Sequence, residues 1–158
     1  MVYFEQGELD RAIQHLAAAV RLLPNGFEGR YNPPFMEFNL GKALLLKGDF
    51  ASGAEHLKRA AQLRPNKGEI HHVLALALAR QGLTEEAAAH YAQAIQIQPG
   101  LDQTPDLADL LAQNYAQMGR FPEAVTYAAK ALQLARKSGN EGLANQILQR
   151  LEQYQTAR

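Results

Sequence analysis

Small and large apolar residues recur along this chain in a register counted from four glycines, Gly7, Gly48, Gly82 and Gly119. Five residues after each glycine comes a small residue: Ala12, Gly53, Ala87 and Ala124. Twelve residues after comes alanine, at Ala19, Ala60, Ala94 and Ala131, and fifteen after comes an aliphatic, at Leu22, Leu63, Ile97 and Leu134. Four residues before each glycine stands Tyr3, Leu44, Leu78 or Tyr115. Seven before the last three stand Gly41, Ala75 and Ala112, each preceded by leucine (Leu40, Leu74, Leu111). Proline follows three of the glycines at seventeen residues, as Pro24, Pro65 and Pro99, while Arg136 holds that place in the fourth unit.

In this register each glycine closes one helix, where a left-handed residue ends the hydrogen-bond ladder. Each proline ends the next helix, which it cannot continue. Small residues lie where two helices cross closely, and large ones fill the space between neighbouring pairs. One pair cannot bury its own apolar face, so the units must stack. The pattern predicts the tail of an inner helix over 1–6 and its outer partner over 8–22. Inner helices follow over 34–47, 68–81 and 105–118, with outer partners over 50–64, 84–98 and 121–137. Thr104-Pro105-Asp106 predicts a helix start, with an N-cap, proline at the first helical position and an acid near the positive dipole end. A last helix is predicted over 140–155. Its Leu143, Ile147, Leu148, Leu151 and Tyr154 share helical spacing, with Gln146, Gln149, Arg150 and Gln153 on the other side. Such a polar-backed helix reads as an end cap. No strand is predicted.

Gly48 and Gly82 are 34 residues apart. The period, with its early Leu-Gly or Leu-Ala pair, later alanine and closing proline, resembles the tetratricopeptide repeat in its bacterial-type multi-repeat arrays. The resemblance implies an all-α, right-handed solenoid of helix–turn–helix units in a single domain over 1–158. Its divisions are a partial first repeat (1–26), a second (34–67), a third (68–101), a fourth (105–138) and a capping helix (139–158). The opening unit lacks most of its inner helix, either because the chain was cut from a longer array or because another subunit covers a natural start. Met1, Val2, Tyr3 and Phe4 would then be exposed and promote self-association through this end. Two spacings exceed the period. Extra residues lie around Phe27 to Pro33, and a smaller insertion lies near Asp102 to Thr104. Phe27 and Tyr31 are expected to pack on neighbouring helices, with ligand binding as the alternative.

In this family the inner helices line a concave groove. The resemblance therefore implies a binding face made of Phe35, Phe38, Lys42, Leu45 and Leu46 in the second unit. The third unit adds Glu69, His72, Leu76, Ala79 and Arg80, and the fourth adds Asp106, Asp109, Gln113, Ala116 and Gln117. Such a groove is apolar at one end and acidic at the other, where Asp106 and Asp109 would favour basic residues of a ligand. Asn39 and Lys42 match part of the family's clamp for a C-terminal carboxylate, but Glu69 and Val73 stand where further basic residues belong. The implied function is a protein-interaction scaffold holding a peptide or helix. The alternative is an accessory or oligomerisation segment of a larger assembly, such as a glycosyltransferase or pilus-assembly protein.

Composition narrows the alternatives. Among 158 residues, Lys+Arg and Asp+Glu are 16 each, and this balance argues against a broad nucleic-acid surface. The chain has no cysteine, which excludes disulfides and thiolate metal sites. No signal peptide is visible and no apolar run approaches the ~20 residues of a membrane span, so a cytoplasmic location without membrane insertion is favoured. His15, His56 and His90 fall at equivalent places in successive units, a helix-packing distance of roughly 10 Å apart, too far to share a metal ion. His71 occupies a column for large aromatics and is expected to pack, while His72 is expected to face the groove. Asp106 and Asp109 read as an acidic first turn. No catalytic constellation, metal site or cofactor is expected, and the chain does not read as an enzyme.

Overall fold

The computed structural model describes residues 6–22, 33–99, 101 and 104–157. Eight helices run along them: α1 (Gln6–Leu22), α2 (Pro33–Lys47), α3 (Phe50–Leu63), α4 (Gly68–Arg80), α5 (Thr84–Ile97), α6 (Asp106–Gln117), α7 (Phe121–Lys137) and α8 (Glu141–Thr156). No strand occurs among the described residues. The fold is the expected all-helical array, with helix ends within one or two residues of those predicted. Met1–Phe4, Phe27 and Tyr31 lie outside the described residues.

The turn glycines behave as their register requires. Gly48, Gly82 and Gly119 have φ of 88°, 75° and 73°. A Cβ at Gly82 would meet nothing within 4 Å, so the requirement there is the backbone angle alone. The residue after each glycine donates its N–H back across the turn: Asp49 to Leu44 O (2.9 Å), Leu83 to Leu78 O (3.0 Å) and Arg120 to Tyr115 O (2.9 Å). These bonds satisfy carbonyls that the helix end would otherwise orphan. Gly139, with φ of 71°, repeats the device between α7 and α8, where Asn140 N–H reaches Ala135 O at 3.0 Å. Gly7 departs from the pattern, because it is helical within α1. The α6 start also departs. Pro105 itself takes the cap position, its backbone already helical (φ −74°, ψ −16°), without a side-chain cap.

The small-residue columns set the spacing within a pair. A Cβ on Gly41 would stand 2.6 Å from Leu57 Cγ and 3.0 Å from the Gly53 carbonyl, so α2 and α3 cross with no room for a side chain. Ala75 and Ala87, and Ala112 and Ala124, are fully buried at the equivalent places in the next two pairs. Leu40, Leu57, Leu74, Leu78, Leu107, Leu111 and Ile147 are the largest fully buried side chains, and all but Leu40 belong to one core cluster that runs through the stack. Across the intervening outer helices, α4 also touches both α2 and α6, and α3, α5 and α7 have no comparable contact among the described residues. The inner helices therefore also touch one another along one side of the array.

The last helix buries Ala144, Ile147 and Leu151 and half-buries Leu143, Leu148 and Tyr154 in the core. Gln146, Gln149 and Gln153 are exposed. Arg150 does not join them. Its guanidinium turns inward to α6, as described below. No described helix is long and apolar enough to cross a membrane.

Candidate binding groove

The inner face is built where α2 and α4 lie side by side. Its first recess, of about 460 Å³, is lined by Phe35, Phe38, Asn39 and Lys42 of α2, by Arg64 and Lys67 of the α3–α4 connection, and by Glu69 and Ile70 of α4. A second, of about 440 Å³, is lined by Lys42, Leu45, Leu46, Phe50, Val73, Leu76 and Arg80. Lys42 borders both, so the two recesses form one trough along α2.

The trough exists because α2 is apolar on both sides. Met36, Leu40, Ala43 and Leu44 are buried, while Phe35 and Leu46 remain 64% and 73% exposed on the opposite face. Phe38 is only 8% exposed and belongs to the core cluster. It floors the trough, and the Lys42 ammonium sits 5.1 Å from its ring centroid, within cation–π range. Leu45 lies partly buried against the core.

Eight of the residues expected on the groove thus line the trough: Phe35, Phe38, Lys42, Leu45, Leu46, Glu69, Leu76 and Arg80. The others do not. His72 packs edge-on to Tyr91 of α5, with centroids 6.3 Å apart, and lines neither recess. Ala79 is buried, and its carbonyl accepts from Asn114 Nδ2 at 2.8 Å. Asp106 is exposed at the start of α6, away from both recesses. Asp109 does not present a free charge. Both its oxygens accept from Arg150 Nη2 at 2.7 Å, and Gln113 Nε2 donates to Oδ2 at 3.0 Å. Of the two acids expected to favour basic ligand residues, Asp109 is paired by the last helix and Asp106 stays exposed outside the trough. Ile147, Arg150 and Tyr154 stand three and four residues apart and so share one side of α8, which is the signal that places Arg150 inward. Arg64, Lys67 and Phe50 were missed because the family register assigns the groove to inner helices, and these residues lie in or beside connections.

The histidines do not act alone. Glu37 and His56 stand eleven residues before and eight after Gly48, and meet at 2.6 Å. His71 and His90 hold the same places around Gly82 and meet Nδ1 to Nδ1 at 3.1 Å, with rings stacked at 5.3 Å. His90, expected to stand alone, has His71 as a partner. His71 Nε2 lies 2.8 Å from the Pro65 carbonyl, so it carries the proton there. Its Nδ1 must then accept from His90 Nδ1–H. No group of three or more His, Asp or Glu residues able to hold a metal occurs among the described residues.

Burial, and then the electrostatic effect of the neighbouring His71 ring when His90 is protonated, hold His90 below the ordinary imidazole range, against smaller opposing effects of Glu86 and Gln93. The unfolded chain therefore takes up this proton first. The contribution of neutral His90 to stability is complete above pH about 6.5 and falls as the pH drops below that value. Between pH 8 and 5 the parent chain is expected to lose more melting temperature than His90→Gln, whose amide can still donate to His71. Identical pH profiles of the two would exclude this role.

Residues 66–137 match the tetratricopeptide repeat family model. No curated protein matches the chain in sequence. Several solved structures share its fold. MamA is 17% identical with a TM-score of 0.66, covering 99% of this chain and 96% of its own. YrrB, described as a tetratricopeptide-repeat protein with an unusual peptide-binding site, is 22% identical with a TM-score of 0.65, over 82% of this chain and 61% of its own. SycD, a type III secretion translocator chaperone of Yersinia enterocolitica, is 15% identical with a TM-score of 0.63, over 82% and 97%. Residues 66–137 are thus similar to tetratricopeptide repeats, and the described chain shares the helical-repeat fold of these solved structures.

Proposed function

We propose that this chain is a protein-interaction scaffold that holds a peptide or helical segment of a partner in the trough between α2 and α4. One observation carries the reading. Phe35 and Leu46 are exposed at opposite ends of a trough whose floor is apolar, whereas a helix needing only to be soluble would place polar residues there. Peptides dock in such grooves through a few large side chains. The likeness in fold to YrrB, a protein described as having a peptide-binding site, is consistent with this use.

Because both side chains are exposed, they can be changed without disturbing the core. Peptides enriched from a random display library against the parent chain are expected to bind Phe35→Asp/Leu46→Asp about tenfold more weakly or worse. The helical signal and melting temperature should be unchanged. Equal binding by the double variant would move the site elsewhere on the solenoid.

A further inference from the structure

We propose that the segment taken by this trough is acidic: a stretch of a partner protein with two large apolar side chains about 11 Å apart and internal Asp or Glu residues beside them. The inference rests on the groove reading above and adds the chemistry of the ligand. The first recess carries Lys42, Arg64 and Lys67 against the single carboxylate of Glu69. The second carries Lys42 and Arg80 and no acid. All four cations are exposed, and none forms an ion pair among the described residues.

This excess is local, since the chain has no net charge. Many of its acids are occupied elsewhere: Asp10 by Lys47, Glu55 and Glu86 by Lys58, Glu85 and Glu123 by Arg120, and Asp109 by Arg150. A basic ligand would meet repulsion along the trough, and of the two acids expected to attract it Asp109 is paired with Arg150 and Asp106 lines neither recess. The cations also have a useful order. Arg64 and Lys67 stand at one end, Lys42 between the recesses, and Arg80 at the other end. Phe38 and Leu45 are seven residues apart on α2, a rise of roughly 10–11 Å. A helical ligand spans that distance with anchors at i and i+7, an extended one with anchors at i and i+3. One carboxylate between the anchors and one beyond each would face the four cations.

The test uses fluorescein-labelled peptide pools with amidated C-termini, so that no terminal carboxylate contributes. Phe or Leu is fixed at i and i+7, or at i and i+3, and the neighbouring positions are Glu, Gln or Lys. By fluorescence anisotropy the Glu pool should bind about tenfold tighter than the Lys pool, with the difference shrinking as salt rises. Lys42→Glu/Arg80→Glu should reverse the order. Binding of the Gln or Lys pool at least as tight as the Glu pool overturns the proposal. So does an absence of binding by any pool, or equally tight binding of a single-stranded oligonucleotide. Phe35→Asp/Leu46→Asp separates the two readings. If it abolishes binding but the pools show no charge preference, the groove stands and the acidic partner falls. If the acidic preference survives it, the groove itself is not the site.

Discussion

Removal of residues 140–158 is expected to lower the melting temperature by roughly 10–20 °C or to drive the chain into aggregates. Ile147 is fully buried and Leu151 nearly so, and large aliphatic side chains contribute roughly 1.5–3 kcal/mol each when buried. Those two alone amount to about 3–6 kcal/mol, against a total stability of roughly 5–15 kcal/mol for a domain. Deletion also uncovers the α7 surface and strips Asp109 of Arg150. Arg150→Ala isolates that last effect. The side chains of the pair are 28% and 14% exposed, so the loss should fall between the ~0–1 kcal/mol of a surface pair and the ~3–5 kcal/mol of a fully buried one. A monomeric deletion variant melting with the parent would refute the assignment of α8 as an end cap.

Phe38→Asp should unfold the second unit instead of simply blocking a ligand. Phe38 is part of the core cluster, and truncating a buried phenylalanine costs about 3–5 kcal/mol. A carboxylate placed there must also be desolvated, and Lys42 beside the ring can offset only part of that. The expected drop in melting temperature is about 10 °C or more, with Phe38→Leu close to the parent. Phe38→Asp melting within about 2 °C of the parent would show that the trough floor is softer than its burial implies. The contrast with Phe35 matters for any binding study. Three residues along one helix separate an anchor that can be changed freely from one whose loss would read as lost binding through lost folding.

That contrast also marks the boundary between what local pattern and tertiary packing decide. The helices, their turns and their order follow from the sequence alone, because the determinants are local. A glycine with positive φ at Gly48, Gly82 or Gly119 stops a helix whatever surrounds it. Small residues at Gly41 and Gly53 permit a close crossing wherever the two helices meet. Recurrence of such columns across the units made the array legible, and carried eight of the expected groove residues to one trough. Only the assembled structure decided how exposed each would be and which charges remained free. Phe35 and Phe38 are alike in sequence, and it is the neighbouring helices that bury one and not the other. Asp109 reads as a free acid until α8 brings Arg150 from 41 residues away, and His71 reads as a lone core histidine until α5 brings His90 against it. Charge pairing between distant helices leaves no period in the chain, since it depends on side-chain direction and on which surfaces the stack brings together.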